Sequence, residues 1–415
     1  MSVLERRPAI LVFASFAFAY FFSALLRAIT ATLAPTLTQE FALTARDLGL
    51  LAGGYFLGFA AMQLSLGTWL DRHGPKKIIL YFLSLAVIGC LLFSAATTFA
   101  GLLVARVLCG AGVGACLMAP LTGYRRWLTP AALLRANSWM LMMGSLGMLA
   151  STLPVQWLMP VFGWRPLFWM LAGGIALAMC VIVWQVPAWQ PVAVAAPGRA
   201  GEIHAVNGYA EVWRHAYFRR MVPLGFFVYG GMVAMQTLWA GPWLVRVAGY
   251  SPREAAGGLF LINLCMLITF WAWGIFNPWL LRKGFDTDRL ITMGLPLNLV
   301  VMAVIVALGG GAGAWAWALF CVTCTFVSLA QPAIGMAFPT ALAGRALSAF
   351  NLVIFSGVFT IQWGVGLLVD SFGAAGMAEM DAYRAAMAVF LACSVSAYGY
   401  FLLAKSHNAP QQLPT

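Results

Sequence analysis

Apolar runs of about twenty residues or more, separated by short charged turns, recur along the whole chain. That pattern constrains the fold more than any single motif. A run of this length matches the thickness of a bilayer core, and inside lipid only a helix satisfies its own backbone without help. A membrane β-barrel would need shorter strands of alternating polarity, and no such alternation is visible. With 62% apolar and 9% charged residues among 415, a water-soluble fold could not cover its surface with polar groups. The sequence therefore predicts an all-α membrane protein.

Breaking the runs at Gly, Pro and charge predicts twelve transmembrane helices. They fall at 9–34, 45–68, 76–97, 99–123, 132–157, 165–187, 219–243, 252–279, 288–309, 313–338, 344–369 and 383–405. The first run is too long for a secretory signal and lacks a small-residue cleavage site. Seventeen Lys and Arg fall in the N-terminal segment and the alternate loops on its side, five in the others, and two, Arg27 and Arg106, within spans. The positive-inside rule then places both termini in the cytoplasm, and it accounts for the net charge of +12 without nucleic acid. All eight cysteines lie in apolar spans, Cys321-x-x-Cys324 included, and read as packing rather than disulfides.

The longest hydrophilic stretch, 188–218, divides the spans six and six. The expected organisation is an N-terminal bundle at 1–187, a cytoplasmic linker at 188–218 and a C-terminal bundle at 219–415. The halves repeat. Trp69, Leu70, Arg72 and Gly74 recur 210 residues later as Trp279, Leu280, Arg282 and Gly284. Arg135-Ala136-x-Ser138 recurs as Arg345-Ala346-x-Ser348 at the same offset, as does Phe162-Gly163 at Phe372-Gly373. Thr44-x-Arg46-Asp47 matches Ser251-x-Arg253-Glu254 at an offset of 207, a capping-box pattern in each copy. Two six-helix bundles in the same orientation, related by a pseudo-two-fold axis along the membrane normal, place a substrate between them.

The turn between the second and third spans, Gly67-x-x-Leu70-Asp71-Arg72-x-Gly74-x-Lys76-Lys77, resembles the signature loop of the major facilitator superfamily. Arg106-x-x-x-Gly110-x-Gly112 is similar to that superfamily's second motif. The loop departs at Pro75, and its second copy has Leu281 in place of Asp71. The resemblance implies a secondary transporter working by alternating access, and a cytoplasmic gate. Gly67, Asp71, Arg72, Gly74, Lys76, Lys77, Arg135, Arg282 and Arg345 are the gate candidates. Gly67 is expected to let helices approach closely and Gly74 to make the tight turn. The plainer reading is a solvated basic turn.

Substrate class rests on polar groups within the spans. Tyr20, Ser23, Arg27 and Thr30 share one face of the first helix. Arg27-x7-Pro35 resembles the first helix of the superfamily's organophosphate exchangers and organic-anion symporters, in which the arginine binds the substrate anion. A guanidinium suits carboxylate or phosphate because it stays charged and offers a planar fork; the plain alternative is an interfacial arginine that snorkels. The counterpart of Arg27 in the second half is Ala234, which favours a monoanion or zwitterion over a phosphate ester. None of the twelve acids lies mid-span, and the fifth span has Gly144-x-x-Gly147 and Pro154 instead of a Gly-Pro motif, so export of cationic drugs is disfavoured. Protons could couple through Glu40, Asp47 or Asp370, or exchange could run without them. The remaining cavity candidates are Tyr55, Arg106, Tyr229, Gln236, Trp239, Asn263, Asn351 and Gln362, with helix packing as the alternative role for the amides. Met140, Met142, Met143 and Met148 read as packing, and the four histidines lie outside the spans, so neither metal nor cofactor is expected. No catalytic triad or nucleotide loop is visible. The expectation is a monomeric inner-membrane carrier of a small organic anion or zwitterion, not an enzyme. An exporter of neutral or amphiphilic compounds is the alternative.

Overall fold

The computed structural model describes residues 4–189 and 209–404, without the side chains at 71, 130, 131, 134, 137, 138, 277, 278, 281, 340 and 341. Most of the expected linker and the Asp71 carboxylate therefore lie outside the described residues. Among the described residues there is no strand. Eleven helices are long and apolar enough to cross a membrane: α1 (Arg6–Phe41), α2 (Ala45–Leu70), α3 (Pro75–Ala95), α4 (Phe99–Trp127), α6 (Trp164–Gln185), α7 (Ala216–Arg246), α8 (Pro252–Phe276), α9 (Thr287–Gly311), α10 (Ala314–Ala337), α11 (Leu342–Ala374) and α12 (Glu379–Leu403). A twelfth span, α5, joins Trp139–Ala150 to Leu153–Phe162 through a 43° bend. Pro154 supplies the reason: it sits at the start of the second piece, where a missing N–H is tolerated.

Local signals set the helix starts. Thr44 and Asp47 form a reciprocal capping box on α2, and Ser251 and Glu254 make the same bonds at α8. Three further spans depart from the regular helices the sequence suggested. Residues 114–117 form turns that interrupt α4 after Val113. α7 widens into π-turns at Leu224–Tyr229 and Met235–Trp239, and α10 tightens at Thr325–Leu329. Such departures often mark functional positions, and two of these three carry residues named below.

α1–α6 and α7–α12 pack as two six-helix bundles, with α3 against α4 and α6 in the first and α8 against α10 in the second. The halves meet chiefly where α2 lies along α11, with α1 on α7 and α5 on α8. The α2–α11 seam is closest near the start of α2. A Cβ on Gly366 would lie 2.3 Å from the Ala45 carbonyl oxygen, so only glycine allows this approach. At the same end Asp370 reaches across the halves and accepts hydrogen bonds from the backbone N–H groups of Ala45 (3.1 Å) and Arg46 (2.9 Å). A carboxylate from one half thus caps a helix of the other, where the helix dipole favours negative charge. Above this seam lies a vestibule of ≈ 760 Å³ lined by both halves, including Pro35, Thr38, Leu48, Arg246, Asp370 and Tyr383.

Candidate functional site

Arg27 lies on α1, partly accessible, with its guanidinium 5.8 Å from the Phe59 ring centroid. The Tyr20 and Tyr55 phenols are its nearest titratable neighbours, and Cys116 and Tyr229 also face it. Tyr229 stands in the first π-turn of α7, and Cys116 in the interruption of α4. Phe59 in turn meets Phe355 of α11 at 4.5 Å, so a ring contact spans the halves beside the arginine. Among the described residues no carboxylate pairs with Arg27, and its buried Nε has no hydrogen-bond partner.

Arg106 supports this arrangement from behind. It is 1% exposed, donates from Nη1 to the Leu26 carbonyl at 3.1 Å, and lies over the Tyr55 ring at 5.1 Å. The Tyr55 hydroxyl donates to the Ser23 carbonyl at 3.0 Å. Two carbonyls in the turn just before Arg27 are therefore held by side chains from α2 and α4, which fixes the stretch of α1 that leads into Arg27. The Nε and Nη2 of Arg106 are buried without partners. A buried donor left unmade costs about 1–3 kcal/mol, more when charged, and both guanidiniums keep such donors open to an acceptor.

The predicted candidates separate into two groups. Tyr20, Tyr55, Arg106 and Tyr229 surround Arg27. The others bond to neighbouring helices. Gln236 donates to Asn263 Oδ1 at 3.0 Å, and Asn263 donates to the Leu259 carbonyl at 2.9 Å. Gln362 donates its side-chain amide to Thr237 at 3.0 Å while its backbone carbonyl accepts from Trp239 Nε1 at 3.1 Å. Asn351 accepts from Gln331 at 2.7 Å. Buried Gln362 Oε1 alone remains open as an acceptor in this group. Sequence reasoning passed over Phe59 and Phe355, which carry no polar signal. It also passed over Cys116, whose one hint is the Gly-rich stretch before it, and Gln331, whose polarity within a span was readable.

The signature turn is held within its own half. Lys76 Nζ donates to the Val183 and Val186 carbonyls, both at 2.7 Å, closing the end of α6. Gly74 adopts φ +78°, and the Trp189 ring lies 2.1 Å from where a Cβ would stand, so the turn requires glycine twice over. Arg126 covers Trp189 at 4.0 Å. Arg72, Lys77, Arg135 and Arg282 are exposed, and Arg345 is half-buried beside Tyr209, where burial raises the phenol pKa and the arginine partly offsets it. One expectation fails: a Cβ on Gly67 would meet nothing within 4 Å, so Gly67 makes no close helix contact. The close approach lies instead at the opposite end of α2, while Gly67 is on an exposed face.

A paired-bundle fold with an unmatched cation between its halves defines a class of membrane carrier. The sequence matches the Major Facilitator Superfamily over residues 16–361, and the chain belongs to that family. It is 26% identical over 280 residues to the 4-hydroxybenzoate transporter PcaK of Pseudomonas aeruginosa, covering 59% of this chain and 62% of that one. It is 25% identical over 251 residues to the probable sulfoacetate transporter SauU of Cupriavidus necator, covering 57% of each. The chain thus spans about three-fifths of the length of these curated relatives. A gallate transporter of Pseudomonas putida is 32% identical over 170 residues, 38% of this chain and 35% of that one. Among solved structures, a D-xylose-proton symporter superposes with TM-score 0.79 at 14% identity, covering 97% of this chain and 99% of the other. A bacterial homolog of the lysosomal transporter Spinster, inward-facing and occupied, gives 0.76 at 17% identity and 97% of both chains. These structural likenesses establish the fold.

Proposed function

We propose that this protein is a monomeric secondary transporter of the bacterial inner membrane that moves a small organic monoanion, foremost an aromatic carboxylate, by alternating access. The observation that carries the reading is Arg27: a cation within a membrane span, without a carboxylate partner among the described residues, facing three tyrosines and a phenylalanine. A carboxylate supplies the missing charge, and an aromatic body suits the rings. The relatives named for 4-hydroxybenzoate and gallate carry substrates of this chemistry, and the one named for sulfoacetate carries another organic acid. Both termini lie in the cytoplasm in this reading, and the Lys76 turn faces inward, as its basic residues favour. The Asp370 end is then periplasmic. The segment at 188–218 links the two bundles on the cytoplasmic side.

Uptake of radiolabelled 4-hydroxybenzoate, nicotinate and sulfoacetate into proteoliposomes tests the reading. Arg27→Ala removes a charge-assisted pair of hydrogen bonds worth about 3 kcal/mol, so the apparent affinity for the transported acid should fall ~100-fold. Full acid uptake by Arg27→Ala would refute the assignment. Movement of hydrophobic dyes in place of acids would favour an exporter.

A further inference from the structure

We infer that the cleft between α8 and α9 holds an anionic phospholipid, with its headgroup on the cations of the turn that joins them and its acyl chains along the apolar walls. This site stands apart from Arg27 and from whatever the carrier moves.

The duplicated turn has diverged between the halves. The first copy includes Asp71, and its Lys76 is taken up by the carbonyls that end α6. The second copy has Leu281 in place of the acid, and Arg282, Lys283 and Arg289 are all exposed. Among the described residues none of these three cations forms an ion pair. The acids nearest in sequence are already engaged. Asp286 accepts from the Arg289 backbone N–H at 2.7 Å and caps α9, while Asp288 accepts from Tyr217 at 2.9 Å and pairs with Arg220. Two of the cations lie instead on rings of the same turn, Lys283 at 5.7 Å from the Trp279 centroid and Arg289 at 5.0 Å from that of Phe285. A cation lying on a ring still has N–H donors to offer an oxyanion.

The helices on either side of this turn leave room for a chain. α8 and α9 each pack on α10 rather than on each other. Phe326 of α10 stands between them: its ring centroid is 5.1 Å from that of Trp273 on α8, and a Cβ on Gly294 of α9 would lie 2.2 Å from the same ring. Trp273 is fixed there by donating to Thr325 Oγ1 at 2.9 Å. Beside this floor α8 exposes Phe276 and Trp279, and α9 exposes Met293. Along the membrane normal the surface thus passes from apolar side chains, through a tryptophan, to unpaired cations. That is the order in which a phospholipid presents its acyl chains, its interfacial region and its phosphate. A soluble anion would use the turn and leave the apolar walls without purpose.

Native mass spectrometry of the full-length protein decides this, with phosphatidylglycerol and phosphatidylcholine of matched acyl chains added in equal amounts from detergent. Wild type should retain phosphatidylglycerol in preference. Each cation beside an anionic headgroup is worth about fivefold in affinity, less where solvent and salt screen it. Arg282→Gln, Lys283→Gln and Arg289→Gln together should therefore lower the preference by ~10–100-fold. Arg72 and Lys77 of the first copy are also exposed, so Arg72→Gln with Lys77→Gln is the control for general attraction to basic turns, and it should keep most of the preference. Inorganic phosphate at the same concentration should not displace the lipid. No preference in wild type, an undiminished preference in the triple variant, or an equal loss in both variants would overturn the site. Displacement by phosphate would give the cations to a soluble anion and remove the lipid. All five substituted side chains are exposed, and an unchanged melting temperature confirms that the variants are folded.

Discussion

Replacing Asp370 should loosen the end of the molecule where the halves meet. The carboxylate receives two backbone N–H donors of α2, at 3.1 and 2.9 Å, and neither comes from a side chain. Hydrogen bonds to a charged group contribute about 1.5–3 kcal/mol each when buried. Here the Arg46 bond is exposed, so water competes and roughly 1 kcal/mol apiece is the safer figure. Charge at a helix N-terminus adds about 0.3–1 kcal/mol. Asp370→Ala should therefore favour separation of α2 from α11 by about 2–3 kcal/mol, a shift of ~30–140-fold in that equilibrium. Asp370→Asn keeps a neutral acceptor and should give about half the free-energy change. Leu48 is 4% exposed beneath the vestibule, so a cysteine placed there on a cysteine-free background reports opening through its reaction with an impermeant maleimide. The labelling rate should rise in the order wild type, Asn, Ala. Arg46→Ala is the control: only its backbone is engaged, so labelling should not change. An Asp370→Ala protein that labels no faster than wild type, with an unaltered melting temperature, would show that the cap does not hold the halves together.

Two further outcomes concern stability. Lys76→Ala deletes two charge-assisted bonds to the end of α6, and after allowance for solvent it should cost about 2 kcal/mol, seen as a lower melting temperature in detergent, with Lys76→Arg intermediate. Gln236→Leu and Asn263→Leu remove the two ends of one hydrogen bond. A double-mutant cycle in unfolding free energy should return a coupling of about 0.6 kcal/mol, whereas effects confined to transport affinity would mean that these amides bind substrate.

Helix number and the six-plus-six division were readable because length and apolarity alone determine which segments can span a bilayer, and the described residues hold eleven such helices, twelve with the bent α5 as one span. The capping boxes at Thr44 and Ser251 were readable for a similarly local reason, since both partners lie within one turn. Gly67 shows where local reasoning stops. A glycine in a span signals the possibility of close approach, but which glycine is used depends on how the halves meet, and the seam uses Gly366 instead. Asp370 makes the same point from the other side. Its sequence position near a helix end says nothing of a helix start some 325 residues earlier that needs a cap.

The candidate site shows a division of labour that polarity alone could not reveal. In the first half, charged and phenolic groups converge: Arg106 holds the Leu26 carbonyl and Tyr55 the Ser23 carbonyl, and Arg27, next along α1, keeps an unpartnered nitrogen. In the second half, the amides and Trp239 are largely satisfied by one another, by neighbouring side chains or by backbone. A satisfied amide in a low-dielectric interior gains little by turning to a ligand, because it must first give up a bond of similar strength. The open Nε of Arg27 has no such competitor. In the reading proposed above, recognition of the anion therefore belongs to the first half, while the second contributes rings such as Tyr229 and Phe355. Substitutions in the two halves should differ accordingly, with changes around Arg27 read in affinity and changes in the amide pairs read in stability.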